Sequence, residues 1–203
     1  MKERLLLGMD CETTGLAYSG QVDKNRPDPS HNVITGDTYQ AVSWGFIVVD
    51  NETLQVIDEL YLEVDFNDEN TWTEGAAKVH GLTKEHLKQH GLSEEDAAVA
   101  IVEFILTYWS IDDAIITLGH NQTTFDHWFL RRLLTKFDIM VKFANRHIDT
   151  SSLGWGVFNC QDSNELFSLF GNERNSGHNA LDDIKTSFEV YKFTRKLGLK
   201  NGL

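Results

Sequence analysis

The apolar positions of this chain are arranged first with the spacing of strands and then with that of helices. Leu5 to Asp10 is a short apolar run closed by a charge, which predicts a buried strand. Tyr39–Val49 and Leu54–Val64 are rich in valine, isoleucine and aromatic residues. Asp50-Asn51-Glu52-Thr53 between them predicts a hairpin, so the sheet should open with antiparallel neighbours. After Asp65 the spacing becomes helical. Ser93 is a candidate N-cap with Asp96 at the box position, and apolar residues at 98, 101, 102, 105, 106 and 109 share one face. Ala114–Leu118 predicts a short strand. A helix is expected from Thr123 or Thr124 to about Phe137, then a strand over Phe143–Ile148. Helix is expected again from Asp149-Thr150, near Asn164, and from about Asn179 to Lys196. Antiparallel strands followed by alternating strands and helices predict an α/β domain with a mixed sheet flanked by helices.

Two polar stretches interrupt this pattern. Ala17 to Asp37 holds both prolines and many Asn, Asp, Ser and Gly residues, so a loop insertion is expected at about 17–38. Its scarcity of apolar residues leaves it little means of packing into a core. Two readings of it stand open: a tolerated surface insertion with no role, or a flap whose Lys24 and Arg26 supply positive charge over a bound substrate. Gly171 to Gly177, GNERNSG, is a second polar loop, just ahead of the last helix.

Composition limits what such a chain can be. Its 203 residues suit a single domain, 1–203, with a sizeable core. Two cysteines, Cys11 and Cys160, can build neither a disulfide scaffold nor, alone, a zinc site, which points to a reducing, intracellular, cytoplasmic compartment. No apolar stretch approaches the roughly 18 residues a membrane span needs, so no membrane partner is expected. The formal net charge of -13 excludes a protein that holds nucleic acid through a broadly basic surface. It permits an enzyme that meets nucleic acid at one point, through metal ions.

Three segments carry candidate chemistry. In Asp10-Cys11-Glu12-Thr13-Thr14-Gly15-Leu16, strand alternation points Asp10 and Glu12 to the same face. Two acids side by side at the end of an apolar strand repel each other unless solvated or neutralised by a cation. In His120-Asn121-Gln122-Thr123-Thr124-Phe125-Asp126, a strand ends at Gly119 and Asp126 falls in the first turn of the next helix, where the helix dipole alone would favour an acid. Sites in open α/β sheets form at such strand-to-helix junctions. In His178-Asn179-Ala180-Leu181-Asp182-Asp183, a histidine follows the glycine-bearing loop and two acids open a helix.

Together these segments resemble the DnaQ-like (DEDDh) 3′–5′ exonuclease family, which has a ribonuclease H-like fold. D-x-E-T-T-G stands complete at Asp10 to Gly15. His120-Asn121 and Asp126 with Phe129-Leu130 match the second motif, and His178, Ala180 and Asp183 match the third. Val79-His80-Gly81-Leu82-Thr83 resembles a further family element, and Ile148-Asp149-Thr150 another. The five-residue step from the histidine selects Asp183 over Asp182. Asn179, where the sister branch has tyrosine, places the chain in the histidine branch.

The resemblance implies a metal-dependent 3′–5′ exonuclease that acts on the 3′ end of single-stranded DNA and releases nucleoside 5′-monophosphates. Two Mg²⁺ or Mn²⁺ ions would be held by Asp10, Glu12, Asp126 and Asp183, with His178 as general base, swinging in on its loop. Thr13, Gly15, Leu16, Val79, His80 and Asn121 are the implied substrate contacts. An RNA-trimming exonuclease of the same fold shares the same acids, because discrimination rests on the surroundings of the 2′-hydroxyl. A proofreading subunit bound to a DNA polymerase or another replication protein is a third reading, weakened by the absence of a docking tail after the last helix.

Overall fold

The computed structural model describes residues 4–17, 28–174 and 177–200, with residues 199 and 200 described by backbone only. The element order is β1 (Leu5–Thr13), β2 (Ala41–Asp50), β3 (Gln55–Glu63), α1 (Glu74–His80), α2 (Lys84–His90), α3 (Glu94–Tyr108), β4 (Ile115–Gly119), α4 (Asp126–Lys136), β5 (Phe143–Asp149), α5 (Thr150–Leu153), α6 (Ser163–Ser168) and α7 (Ala180–Lys200). A single π-helical turn, Gly154–Phe158, follows α5.

The five strands form one sheet in the order β3-β2-β1-β4-β5. β1 pairs antiparallel with β2 and parallel with β4, while β4 and β5 are parallel. The sheet is therefore mixed, as expected, and β1 is where its direction changes.

Alternation along β1 assigns its two faces. Leu7, Met9 and Cys11 pack with Ile101 and Ile105 of α3 and Phe129 and Leu133 of α4. Leu6 points the other way, with Ile47 and Val49 of β2, onto Ile184, Phe188 and Tyr191 of α7. Asp10 and Glu12 continue the Leu6 parity and so emerge on the α7 side of the sheet. Gly8 on that parity is filled by its neighbours: a Cβ there would come within 2.5 Å of Ile47 Cγ1 and 2.9 Å of Ile184 Cγ1.

Several boundaries differ from the sequence pattern. β1 runs on to Thr13, so both acids lie within the strand. α4 starts at Asp126, two to three residues later than expected. Asn121 adopts a left-handed φ of 58° and its carbonyl accepts from Thr124, forming a turn where helix was expected. On α3, Ser93 caps the helix by accepting from the Asp96 amide at 3.0 Å. Leu106, assigned to its apolar face, is exposed. The compact helices α1 and α2 after Asp65 end at Gly81 and Gly91.

The described part of the insertion at about 17–38, residue 17 and residues 28–38, packs better than its composition suggests. Residues 18–27, with Lys24 and Arg26, lie outside the described residues. The remainder returns to its point of departure: Ala17 N–H donates to the Pro29 carbonyl at 3.0 Å. Ser30 and Asn32 are buried, and Arg132 on α4 donates to the Ser30 carbonyl at 3.2 Å. Hydrogen bonds, which composition does not reveal, replace apolar burial here. No helix among the described residues is long and apolar enough to cross a membrane.

Candidate active site

The carboxyl ends of β1 and β4 open onto a cleft of about 660 Å³. Asp10 and Glu12 enter it from β1, Asp126 from the start of α4, Asp183 from the first turn of α7, and His178 from the segment before α7. Leu16, His120 and Asn121 line it as well. Acids separated by more than a hundred positions are thus collected at one end of the sheet.

Each is positioned by a local device. Asp126 is buried, and its Oδ1 accepts from the Cys11 backbone N–H at 2.9 Å, which ties the second segment directly to β1. Asp149, from the Asp-Thr element, accepts from Ser151 N–H at 2.9 Å as the cap of α5 and from Asn121 N–H at 3.1 Å. Thr150 donates to the Gly119 carbonyl at 3.1 Å and meets His120 Nδ1 at 3.2 Å. The Asn179 side chain accepts from Leu181 and Asp182 N–H, so the third motif caps α7 itself. This first turn separates the two adjacent acids: Asp183 is buried and faces the cleft, while Asp182 is exposed.

The T-T-G turn is rigidly held. Thr14 is fully buried, its N–H donates to the Gln40 carbonyl at 2.9 Å, and its hydroxyl accepts from Gln40 N–H at 3.0 Å. A Cβ on Gly15 would lie 2.7 Å from the Tyr39 ring. The turn leaves Leu16 45% exposed at the cleft edge. Thr13, Gly15, Val79 and His80 lie outside the lining of the cleft: Thr13 and His80 are buried and Val79 is exposed. Val79 is joined to the site through its carbonyl, which accepts from His178 N–H at 2.8 Å. This bond ties the backbone of His178 to the end of α1.

The electrostatics are those of acids forced together. Burial, followed by the charge of Asp183, pushes Glu12 up to about 8. Burial pushes Asp126 up to about 7 against the hydrogen bonds from Cys11 that lower it. Asp10 is raised well above the usual carboxylate range by burial and then by Asp126, Asp183 and Glu12. His178 is lowered, first by burial and then by Arg174, against the opposing charge of Asp183. Ligand atoms of Glu12, His178 and Asp183 all lie within 4.8 Å of one another. Of the four acids, Glu12 and Asp183 belong to this group and Asp10 and Asp126 do not; two carboxylates this close suit a hard divalent cation, which prefers oxygen ligands.

Arg174 and Ser163 line the cleft and were not singled out from the sequence. Arg174 extends from the GNERNSG loop into the cleft and forms a salt bridge of 2.7 Å to Asp183. Its only sequence signal was a basic residue in the polar loop just before His178.

The profile of the exonuclease family designated RNase_T matches residues 7–191. The chain belongs to this DnaQ-like exonuclease family. Cap18 of Escherichia coli, a 3′–5′ DNA exonuclease, is 27% identical over 132 residues, spanning 63% of this chain and 70% of Cap18. E. coli exonuclease I in complex with a dT13 oligonucleotide matches with a TM-score of 0.72 at 16% identity, over 97% of this chain and 42% of exonuclease I. The zinc-bound complex of E. coli exonuclease I with single-stranded DNA matches with a TM-score of 0.70 at 16% identity, over 95% of this chain and 40% of that one. This exonuclease-family chain therefore has the ribonuclease H-like fold and spans about two fifths of the length of exonuclease I.

Proposed function

We propose that this chain is a metal-dependent 3′–5′ exonuclease that hydrolyses the terminal phosphodiester bond of single-stranded DNA and releases nucleoside 5′-monophosphates. The observation that carries this reading is the convergence of Asp10, Glu12, Asp126 and Asp183 with His178 in one cleft. In support, Cap18 is a 3′–5′ DNA exonuclease and exonuclease I binds oligodeoxynucleotides.

Asp10, Glu12, Asp126 and Asp183 would hold two Mg²⁺ or Mn²⁺ ions. Bound there, the ions would supply a nucleophilic water at neutral pH and stabilise charge on the attacking and leaving oxygens. The protein's own contribution is then positional. Asp10 and Glu12 are fixed by strand pairing, and Asp126 by the Cys11 amide. His178, lowered by burial below the ordinary histidine range, would be the residue to accept a proton as general base. Leu16 at the cleft edge offers an apolar face to the terminal base and Asn121 a polar side chain beside it. Stacking of this kind is sequence-tolerant.

The test is digestion of 3′- and 5′-labelled single-stranded DNA, double-stranded DNA and RNA with Mg²⁺ or with chelator. Stepwise loss from the 3′ end of single-stranded DNA, abolished by chelator, is expected. Full activity in excess chelator, or efficient cutting of a circular single strand, sinks the reading. Preferential digestion of RNA would replace DNA as the substrate.

A further inference from the structure

Arg174 is built into the acidic cleft more firmly than a surface cation would be. Its backbone takes a left-handed φ of 50°, and its side chain is only 9% exposed. The guanidinium forks onto Asp183, with Nε donating to Oδ1 at 3.1 Å and Nη2 to Oδ2 at 2.7 Å. Behind the fork, α6 provides a seat. Nη1 donates to Ser163 Oγ at 3.1 Å and to Asn164 Oδ1 at 2.7 Å, and the guanidinium lies 4.3 Å from the centre of the Phe167 ring. Asn172 Nδ2 donates to Asp183 Oδ1 as well, at 2.9 Å.

A carboxylate offers about four lone-pair positions. On Asp183, Oδ1 already accepts from Asn172 and Arg174, and Oδ2 from Arg174. What is left lies on Oδ2, which is 3.8 Å from His178 Nδ1 and near Glu12. An ion shared by Glu12 and Asp183 would have to settle there, beside a fixed positive charge in a weakly screened site. We infer that Arg174 is an internal competitor of the divalent cation: it neutralises Asp183 when no ion is held and weakens the hold on the ion that Glu12 and Asp183 share. The Ser163–Asn164–Phe167 seat lets the guanidinium stay ordered without Asp183, so the competition need not unfold the loop. This inference rests on reading the acids as metal ligands.

The test is calorimetric titration of Mn²⁺ into chelator-stripped protein without nucleic acid, for wild type, Arg174→Gln and Arg174→Lys. The glutamine variant should bind its tighter Mn²⁺ about tenfold or more strongly than wild type. The lysine variant, which keeps the charge but loses the fork, should show a smaller gain. In chelator the glutamine variant should melt lower than wild type, and Mn²⁺ should raise its Tm by more. Unchanged or weaker Mn²⁺ binding in the glutamine variant, with normal binding in wild type, overturns the competition alone. If the glutamine variant does not fold, lysine-variant binding no tighter than wild type overturns it equally. No Mn²⁺ binding by any of the three proteins overturns both this inference and the metal-dependent function.

Discussion

Gly45 on β2 lies directly beneath Ala180, the first residue of α7: a Cβ on Gly45 would come within 2.4 Å of the Ala180 carbonyl carbon and oxygen. Gly45 is also the cross-strand partner of Asp10. The absence of a side chain here lets the start of α7 sit on the sheet and brings Asp183, three residues on, down beside Asp10 and Glu12. Gly45→Ala should therefore cost at least the 1–3 kcal/mol typical of overpacking. It should also lower activity more than the loss of stability explains, because the acids move apart. Gly75→Ala, in α1 with open space around it, is the control and should be neutral or slightly stabilising. Thermal melts and oligonucleotide digestion check both, and a Gly45→Ala protein with wild-type Tm and rate would show that the contact is unimportant.

Asp182 and Asp183 are neighbours in sequence but not in environment. Asp183→Asn should abolish digestion and weaken Mn²⁺ binding, whereas Asp182→Asn, at an exposed position, should stay near wild type. Loss of activity in the second variant alone would mean that the third motif is registered one residue off.

His178→Ala should retain Mn²⁺ binding and lower kcat by the roughly 10²–10⁴-fold typical of losing a general base. Its backbone bond to Val79 survives the substitution, so the melting temperature should hardly change. A rate within a few-fold of wild type would remove His178 from the chemistry.

The acids predict an inverted pH response in chelator. Glu12 is raised from 4.5 to about 8 and Asp126 from 3.8 to about 7, chiefly by burial. The folded state then binds more protons than the unfolded one across this window, so stability falls as pH rises from about 4 towards about 8. Tm in chelator should be lower at about pH 8 than at about pH 5, and saturating Mg²⁺ should shrink the difference, because the ion replaces the protons. Glu12→Gln should flatten the decline. A Tm in chelator that rises over this range, or an unchanged slope in Glu12→Gln, contradicts the assignment.

Ala17 and Pro29 are hydrogen-bonded across the insertion, so a few glycines could replace residues 18–27 without moving either end. The shortened protein should keep its fold and metal binding. If Lys24 and Arg26 contribute positive charge over the strand, KM should rise for oligonucleotides and not for a small nitrophenyl phosphodiester. Equal kinetics on both substrates before and after shortening would leave the segment without a role in binding.

The one-dimensional pattern determined the elements and the chemistry that is local. Alternation along Leu5–Thr13 is sufficient to put Asp10 and Glu12 on one face, because the two-residue period of a strand is a property of the backbone alone. The strand–hairpin–strand opening, the Ser93 cap and the spacing from His178 to Asp183 were legible for the same reason: each depends on residues a few positions apart. Tertiary structure decided what depends on distant partners. The left-handed turn at Asn121 holds its amide on Asp149 and delays α4 to Asp126, overriding a helical run. The segment after Pro29 is fixed by Arg132, about a hundred positions away, which its polar composition could not disclose. Asp10 is raised by burial and then by its acidic neighbours, and Arg174 meets Asp183 because α6 supplies the other side of its seat. Charge interactions of this kind depend on distance and desolvation in three dimensions. The sequence shows which charges exist; only the fold determines which of them are forced together away from water.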